Sequence, residues 1–112
     1  MRNIFLIGLF ASWLLATVVR AEVPADAVWI DVRTPTEYSQ GHLEQARNIP
    51  FDGIVVGVTS LKLSSDAPIY VYCASGGRAK VAKQSLEAAG YTNVTNAGGL
   101  EDARKLAEET TP

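Results

Sequence analysis

Cysteine and basic charge are both scarce in this chain of 112 residues. Cys73 is the only cysteine, which excludes a fold held together by internal disulfide bridges. The formal net charge is −2 and no basic run occurs, which argues against a nucleic-acid-binding surface. Internal repeats and disorder-promoting stretches are also missing from the sequence. A hydrophobic content of 47% with 20% charged residues favours one small globular domain.

Long hydrophobic runs are missing too, except near the N-terminus. There an uncharged, mostly apolar run of 16 residues extends from Ile4 to Val19, which is shorter than the roughly 20 residues that span a bilayer. A positive charge precedes this run, and Val19 and Ala21 are small residues with the spacing of a cleavage site. The pattern predicts an export signal at residues 1–21 and a mature domain at residues 22–112. The alternative is an uncleaved membrane anchor.

If the protein is exported, the presence of a single unpaired thiol needs an explanation. The mature domain would carry a charge of about −4 and reach an oxidising compartment, which we expect to be the bacterial periplasm. An unpaired thiol is open to oxidation there. Cys73 is therefore either buried and inert or retained for chemistry, and composition alone does not decide between the two.

Strand-like and helix-like segments alternate along the mature domain. Short apolar runs predict strands at 27–32, 46–50, 69–72 and 91–97, of which the third is central. Helices are predicted at 34–41, 51–63, 79–89 and 100–109, and Gly98-Gly99 predicts a turn. The first helix begins with a capping box in which Thr34 and Glu37 flank Pro35. The alternation predicts an α/β fold, a small parallel sheet of about five short strands with helices on both faces.

The strand at 69–72 leads directly into the loop Cys73-Ala74-Ser75-Gly76-Gly77-Arg78. Ligands bind beyond the carboxyl ends of the strands in parallel α/β sheets. Backbone N–H groups at a helix N-terminus, two permissive glycines and the planar cation of Arg78 would hold an anion and lower the pKa of the Cys73 thiol. A double glycine alone is more often an ordinary turn, and a lone cysteine is more often a small core residue. The combination favours an anion-binding loop around a nucleophile.

Four ordered motifs of the chain resemble those of single-domain rhodaneses. They are Trp29-Ile30-Asp31-Val32-Arg33 with Glu37-Tyr38, Gly41-His42-Leu43 with Ala46 and Asn48-Ile49-Pro50, the loop from Cys73 to Arg78, and residues 90–100. The chain most resembles the exported thiosulfate sulfurtransferases of the phage shock protein E type, over nearly all of the mature domain. One departure is Ala79, where the family often has serine, and it puts one hydroxyl contact in doubt.

This resemblance implies the rhodanese fold and a sulfurtransferase activity. Cys73 would attack the outer sulfur of thiosulfate, release sulfite, and hold the transferred sulfur as a persulfide until cyanide or a thiol removes it. Arg78 would orient the sulfonate, and the backbone N–H groups that cradle the substrate would come from Ala74, Ser75, Gly76, Gly77 and Arg78. The resemblance implies neither a metal nor an organic cofactor. We expect a monomer that binds a small anionic sulfur donor and a thiol or cyanide acceptor, with no nucleic acid and no stable membrane insertion after signal cleavage.

Three further polar residues belong to the matching motifs. We expect Asp31 and Arg33 to fix the end of the first strand and the following turn through hydrogen bonds and an ion pair. The alternative places Arg33 near the active loop. His42 is the only histidine, but the family has it in a structural motif, and persulfide transfer has little need of a base once the thiolate has formed. We therefore leave His42 outside the catalytic group.

Two other classes of function remain open. A persulfide carrier or a non-catalytic rhodanese-like binding module would share the fold, although inactive relatives commonly lack the cysteine that this chain keeps. A phosphatase or arsenate reductase of related fold also places a cysteine and an arginine around an anion, but with five residues between them. Here four residues separate Cys73 from Arg78. The shorter loop has fewer N–H groups and fits a tetrahedral oxyanion poorly.

Overall fold

The structure, a computed structural model, describes residues 22–110, and the expected export signal at residues 1–21 lies outside them. Among the described residues the strands are β1 (Val28–Asp31), β2 (Arg47–Asn48), β3 (Ile69–Cys73) and β4 (Val94–Gly99). They pair in parallel in the order β2-β1-β3-β4. The expected parallel α/β fold is confirmed, with four strands in this part of the chain instead of about five.

The connecting segments are largely helical. The helices are α1 (Pro35–Ser39), α2 (Ile54–Thr59), α3 (Gly77–Ala88) and α4 (Leu100–Ala107), and a 3₁₀ turn at Phe51–Gly53 precedes α2. The capping box of α1 is confirmed. The Glu37 N–H donates to the Thr34 Oγ1 at 3.2 Å, and the Thr34 N–H donates to the Glu37 Oε1 at 3.0 Å.

The weak helix expected at 51–63 is confirmed in part, because helical structure ends at Thr59. Gly57 lies inside α2, although glycine weakens a helix by roughly 1 kcal/mol relative to alanine. A Cβ at this position would overlap the side chain of Ile49. Glycine therefore allows α2 to pack closely against the segment that follows β2.

Helices cover both faces of the sheet, because buried side chains of the strands alternate between two cores. One core contains Ile30, Ile69 and Val71 of the strands with Ile54, Val58, Ala82 and Leu86 of α2 and α3. The other contains Trp29, Tyr72 and Ala97 of the strands with Ala103 of α4 and Val23 near the N-terminus. Each fully buried aliphatic side chain contributes roughly 1.5–3 kcal/mol, so the two cores hold the helices on the sheet.

The two ends of the described chain meet beside the second core. Val23 is only 1% exposed, and it forms an isolated parallel bridge with Thr110. The Val23 N–H donates to the backbone oxygen of Glu109 at 3.3 Å. Val23 is therefore part of the packed domain.

Gly98 and Gly99 form the end of β4, so the turn expected at this pair is wrong. Gly99 is aligned with Cys73 of β3, after a register shift between Val71 and Cys73. A Cβ on Gly99 would collide with the backbone oxygen of Ala74. Glycine is needed here because two backbones approach closely, and not because the chain reverses direction.

Candidate active site

Cys73 ends β3 and is 1% exposed. The backbone then turns into α3 through Gly76, whose φ of +106° is a left-handed conformation that glycine adopts without steric cost. This turn brings the Gly76 N–H to the Cys73 Sγ, to which it donates a hydrogen bond at 2.9 Å. The loop therefore wraps its backbone around the sulfur.

Two opposing effects act on the pKa of the Cys73 thiol. Burial raises the pKa, because a thiolate is poorly solvated inside the protein. Hydrogen bonds from the backbone N–H groups of Ala79, Ser75, Gly76 and Arg78 lower it by more. The pKa of Cys73 therefore lies below that of an ordinary thiol, in the direction expected from the sequence.

The guanidinium of Arg78 forms a bidentate ion pair with Glu37 of α1. Nη1 of the arginine lies 2.7 Å from Oε1 of the glutamate, and Nη2 lies 3.0 Å from Oε2. The hydrogen bond from Arg78 lowers the pKa of Glu37 to about 2, so both partners are charged at neutral pH. Sequence reasoning missed this role of Glu37, because a capping box indicates only where a helix starts.

Asn96 of β4 ties the loop to the neighbouring strand. Its Nδ2 donates to the Gly76 oxygen at 3.0 Å, and its Oδ1 accepts from the Gly98 N–H at 2.8 Å. The Lys80 N–H donates to the same Gly76 oxygen at 2.9 Å. These two contacts fix the peptide group between Gly76 and Gly77, and the contact from Asn96 holds the loop against β4. Sequence reasoning missed Asn96 as well, because an asparagine in a strand-like run has no local signal for such a contact.

Asp31 and Arg33 form a buried ion pair at the end of β1. The Arg33 Nη2 lies 2.7 Å from the Asp31 Oδ2, and the backbone N–H and Nε of Arg33 donate to the Asp31 Oδ1 at 2.9 and 3.0 Å. The same Nη2 donates to the Gly41 oxygen at 2.6 Å. The pair thus joins the end of β1 to the segment after α1. Among residues 22–110, no hydrogen bond of this pair reaches the Cys73 loop.

His42 lies in the segment after α1. Its ring stacks on Tyr38 with the centroids 3.6 Å apart, and its Nδ1 lies 2.8 Å from the Tyr38 backbone oxygen, which requires a proton on Nδ1. The Tyr38 hydroxyl donates to the Ala46 oxygen at 2.7 Å. In the part of the chain that the structure describes, these contacts join His42 to α1 and none joins it to Cys73.

The remaining loop residues named from the sequence lie around the sulfur. Ala74, Ser75 and Gly77 are exposed, and Gly77 is the first residue of α3. Residues 22–110 include no group of three His, Cys, Asp or Glu residues able to hold a metal ion. None of the helices described is both long enough and apolar enough to cross a membrane.

Comparisons with known proteins agree on one family. A family model described as "Rhodanese-like domain" matches residues 12–105. The chain is 38% identical over 96 residues to thiosulfate sulfurtransferase PspE of Escherichia coli K12, and the match covers 84% of this chain and 92% of that protein. A tRNA uridine(34) hydroxylase of Erwinia tasmaniensis is 33% identical over 93 residues, covering 78% of this chain but 27% of the hydroxylase. A solved structure described as a rhodanese with anions from E. coli has a TM-score of 0.65 and 39% identity, covering 68% of this chain and 89% of that chain.

Proposed function

Since the chain belongs to the rhodanese-like domain family, we propose that it is a thiosulfate sulfurtransferase that carries sulfur on Cys73. The observation that supports this best is the buried Cys73 sulfur with backbone N–H groups of its own loop directed at it. Such an environment suits a thiolate nucleophile, and it also suits a persulfide, whose outer sulfur carries negative charge. The similarity to a thiosulfate sulfurtransferase supports the same chemistry.

The first half-reaction forms one S–S bond and breaks another. The Cys73 thiolate attacks the outer sulfur of thiosulfate, and the bond between the two thiosulfate sulfurs breaks as its electron pair leaves on sulfite. In the second half-reaction, cyanide or a thiolate attacks the outer sulfur of the cysteine persulfide, and the electron pair of that S–S bond returns to Cys73. The loop N–H groups stabilise the negative charge at each stage without reorganisation.

The site residues have different roles in this proposal. Cys73 is the nucleophile, and Arg78, although paired with Glu37, is the side chain that orients the sulfonate. Asp31 and Arg33 support the turn after β1 and do not touch the donor. The donor is held by the backbone of the loop residues Ala74, Ser75, Gly76, Gly77 and Arg78.

Intact mass after incubation with thiosulfate tests the proposal. We expect the wild-type protein to gain one sulfur atom, and cyanide to remove it as thiocyanate. Cys73→Ser should gain none and lose all thiosulfate:cyanide activity, because a serine hydroxyl forms no persulfide, while its far-UV circular dichroism stays unchanged. Transfer activity that persists in Cys73→Ser would exclude this nucleophile.

The same measurement separates the alternative functions. A persulfide carrier would gain the sulfur but turn over slowly with cyanide or thiols. A binding module would gain none. A phosphatase would hydrolyse an aryl phosphate efficiently and show no sulfur transfer, and that result would overturn the proposed function.

We further propose that residues 1–21 are an export signal and that the mature protein begins at Glu22 in the periplasm. The burial of Val23 supports this boundary, because the domain needs its chain from about this point onward. N-terminal sequencing of the protein from a periplasmic extract checks it. An intact N-terminus recovered with the membrane fraction would instead support the anchor.

A further inference from the structure

The cation of the loop is already paired with a carboxylate. Both terminal nitrogens of Arg78 donate to Glu37, at 2.7 and 3.0 Å, and about a third of each side chain is exposed. A sulfonate offers a guanidinium two oxygens in the same arrangement as a carboxylate does. An anionic donor must therefore share or replace Glu37 to use the terminal nitrogens of Arg78.

Glu37 is held in place independently of the arginine. Its Oε1 also accepts the Thr34 N–H at 3.0 Å and the Thr34 hydroxyl at 3.1 Å, as part of the capping box of α1. A carboxylate fixed within the same molecule has a high effective concentration at Arg78. The positive charge beside the Cys73 loop is thus largely neutralised before any donor arrives.

We propose that Glu37 determines donor specificity by neutralising Arg78, so that the site disfavours dianionic sulfur donors relative to donors that carry less negative charge. This inference rests on the proposed sulfurtransferase function. The backbone N–H groups still bind an anionic sulfur, because they remain directed at the thiol whatever charge the donor carries. Glu37 acts only through Arg78 and is not a catalytic residue.

The opposite role would make Glu37 a support that holds Arg78 in the position where it binds the donor. Loss of the carboxylate would then weaken the binding of every anionic donor. In our proposal the same loss leaves Arg78 with an uncompensated charge and strengthens the binding of dianions most. The two roles predict changes of opposite sign.

Glu37→Gln is the informative variant, because glutamine at this position also completes a capping box and preserves the start of α1. Glu87→Gln is the matched control. Glu87 forms a looser pair with Lys83 at 3.8 Å, toward the other end of α3. Thermal unfolding of both variants should show that the fold is retained.

The first measurement compares alkylation of Cys73 by iodoacetate, an anion, with alkylation by neutral iodoacetamide. The measured ratio is the rate with iodoacetate divided by the rate with iodoacetamide. Any change in the thiolate fraction cancels in this ratio, because both reagents attack the same thiolate. We expect the ratio to rise about three- to tenfold in Glu37→Gln and to stay at the wild-type value in Glu87→Gln. An unchanged or lower ratio in Glu37→Gln would overturn the proposal.

The second measurement compares kcat/KM for thiosulfate, a dianion, with that for methanethiosulfonate, a monoanion that offers the same outer sulfur. We expect Glu37→Gln to lower KM for thiosulfate and to raise the preference for thiosulfate about three- to tenfold. A loss of activity with both donors would support the positioning role and contradict ours. If the wild-type protein transfers no sulfur but the alkylation ratio rises as expected, the proposed function fails while neutralisation by Glu37 stands.

Discussion

The reactivity of Cys73 depends on backbone atoms that its own loop supplies. The thiol is buried, which by itself would oppose ionisation, yet backbone N–H groups lower its pKa overall. The loop that carries these N–H groups is held to the adjacent strand by Asn96, which donates to the Gly76 oxygen. Asn96 therefore acts on the thiol indirectly, as a positioning residue.

We predict that Asn96→Asp raises the pKa of Cys73 relative to the wild-type protein. The new carboxylate cannot donate to the Gly76 oxygen, and it adds a negative charge near the thiolate. The rate of iodoacetamide alkylation against pH measures this shift. Asn93→Asp adds the same charge just before β4, away from the loop, and should leave the profile unchanged. Coincident profiles for Asn96→Asp and the wild-type protein would show that the hydrogen bond from Asn96 to the Gly76 oxygen does not control the thiol.

At the level of elements, the site depends on how closely β4 approaches the loop after β3. Gly99 is aligned with Cys73, and no side chain fits between Gly99 and the Ala74 oxygen. The Gly99 N–H also donates to the Asp102 Oδ2 at 2.9 Å, at the start of α4. The strand end, the loop and α4 are therefore packed as one unit.

We predict that Gly99→Ala lowers the free energy of unfolding by about 1–3 kcal/mol, because the added methyl group forces the loop away from β4. Sulfur transfer should fall with it, since the loop N–H groups are displaced. Urea unfolding and the thiosulfate:cyanide assay measure the two effects. Gly53→Ala is the control, because a Cβ there meets no atom within 4 Å. Equal stability of the two variants would contradict the close approach.

At the scale of the whole molecule, folding shifts the pKa values of Glu37 and Tyr72 in opposite directions, and both shifts contribute to stability. The folded state lowers the pKa of Glu37 from 4.5 to about 2, chiefly through the hydrogen bond from Arg78. It raises the pKa of Tyr72 from 10.0 to about 12, chiefly through burial. The Tyr72 hydroxyl also accepts the Leu43 N–H at 2.9 Å, which joins the second core to the segment before β2.

We predict that these two groups lose their contributions to stability at opposite ends of the pH range. The contribution of Glu37 is present above pH 4.5 and is lost as the pH falls toward 2, because the unfolded state takes up the proton first. Stability is also lost as the pH rises from 10 toward 12, because Tyr72 ionises more readily in the unfolded state. Urea unfolding across this pH range measures the acid limb and the alkaline limb of the stability profile, where stability is lost.

Two variants test which residue causes the loss of stability at each end of the pH range. Glu37→Gln should flatten the acid limb, and Tyr72→Phe should flatten the alkaline limb. Tyr72→Phe should also cost about 1–3 kcal/mol near neutral pH, because it leaves the buried Leu43 N–H without its acceptor. If the free energy of unfolding falls as steeply with pH in these variants as in the wild-type protein, other groups cause the pH dependence.

Local signals in the sequence determined the alternation of strands and helices, the capping box of α1 and the loop around Cys73. Each depends on neighbours within a few residues: an apolar run, a threonine three positions before a glutamate, or a glycine pair at a helix start. The ion pair of Asp31 and Arg33 was foreseeable for the same reason, since its partners are two residues apart.

Only the tertiary structure decided which distant groups meet at the site. The partners Glu37 and Arg78 are 41 residues apart, and Asn96 reaches Gly76 across 20 residues. The position of Gly99 in a strand, where the sequence pattern predicted a turn, likewise depends on contact with Ala74. Such contacts follow from strand order and register, which place whole segments side by side, and a hydrogen bond depends on that placement to within a fraction of an ångström. The sequence by itself therefore determined the fold class and the candidate nucleophile, whereas the groups that hold and neutralise the loop were decided by packing.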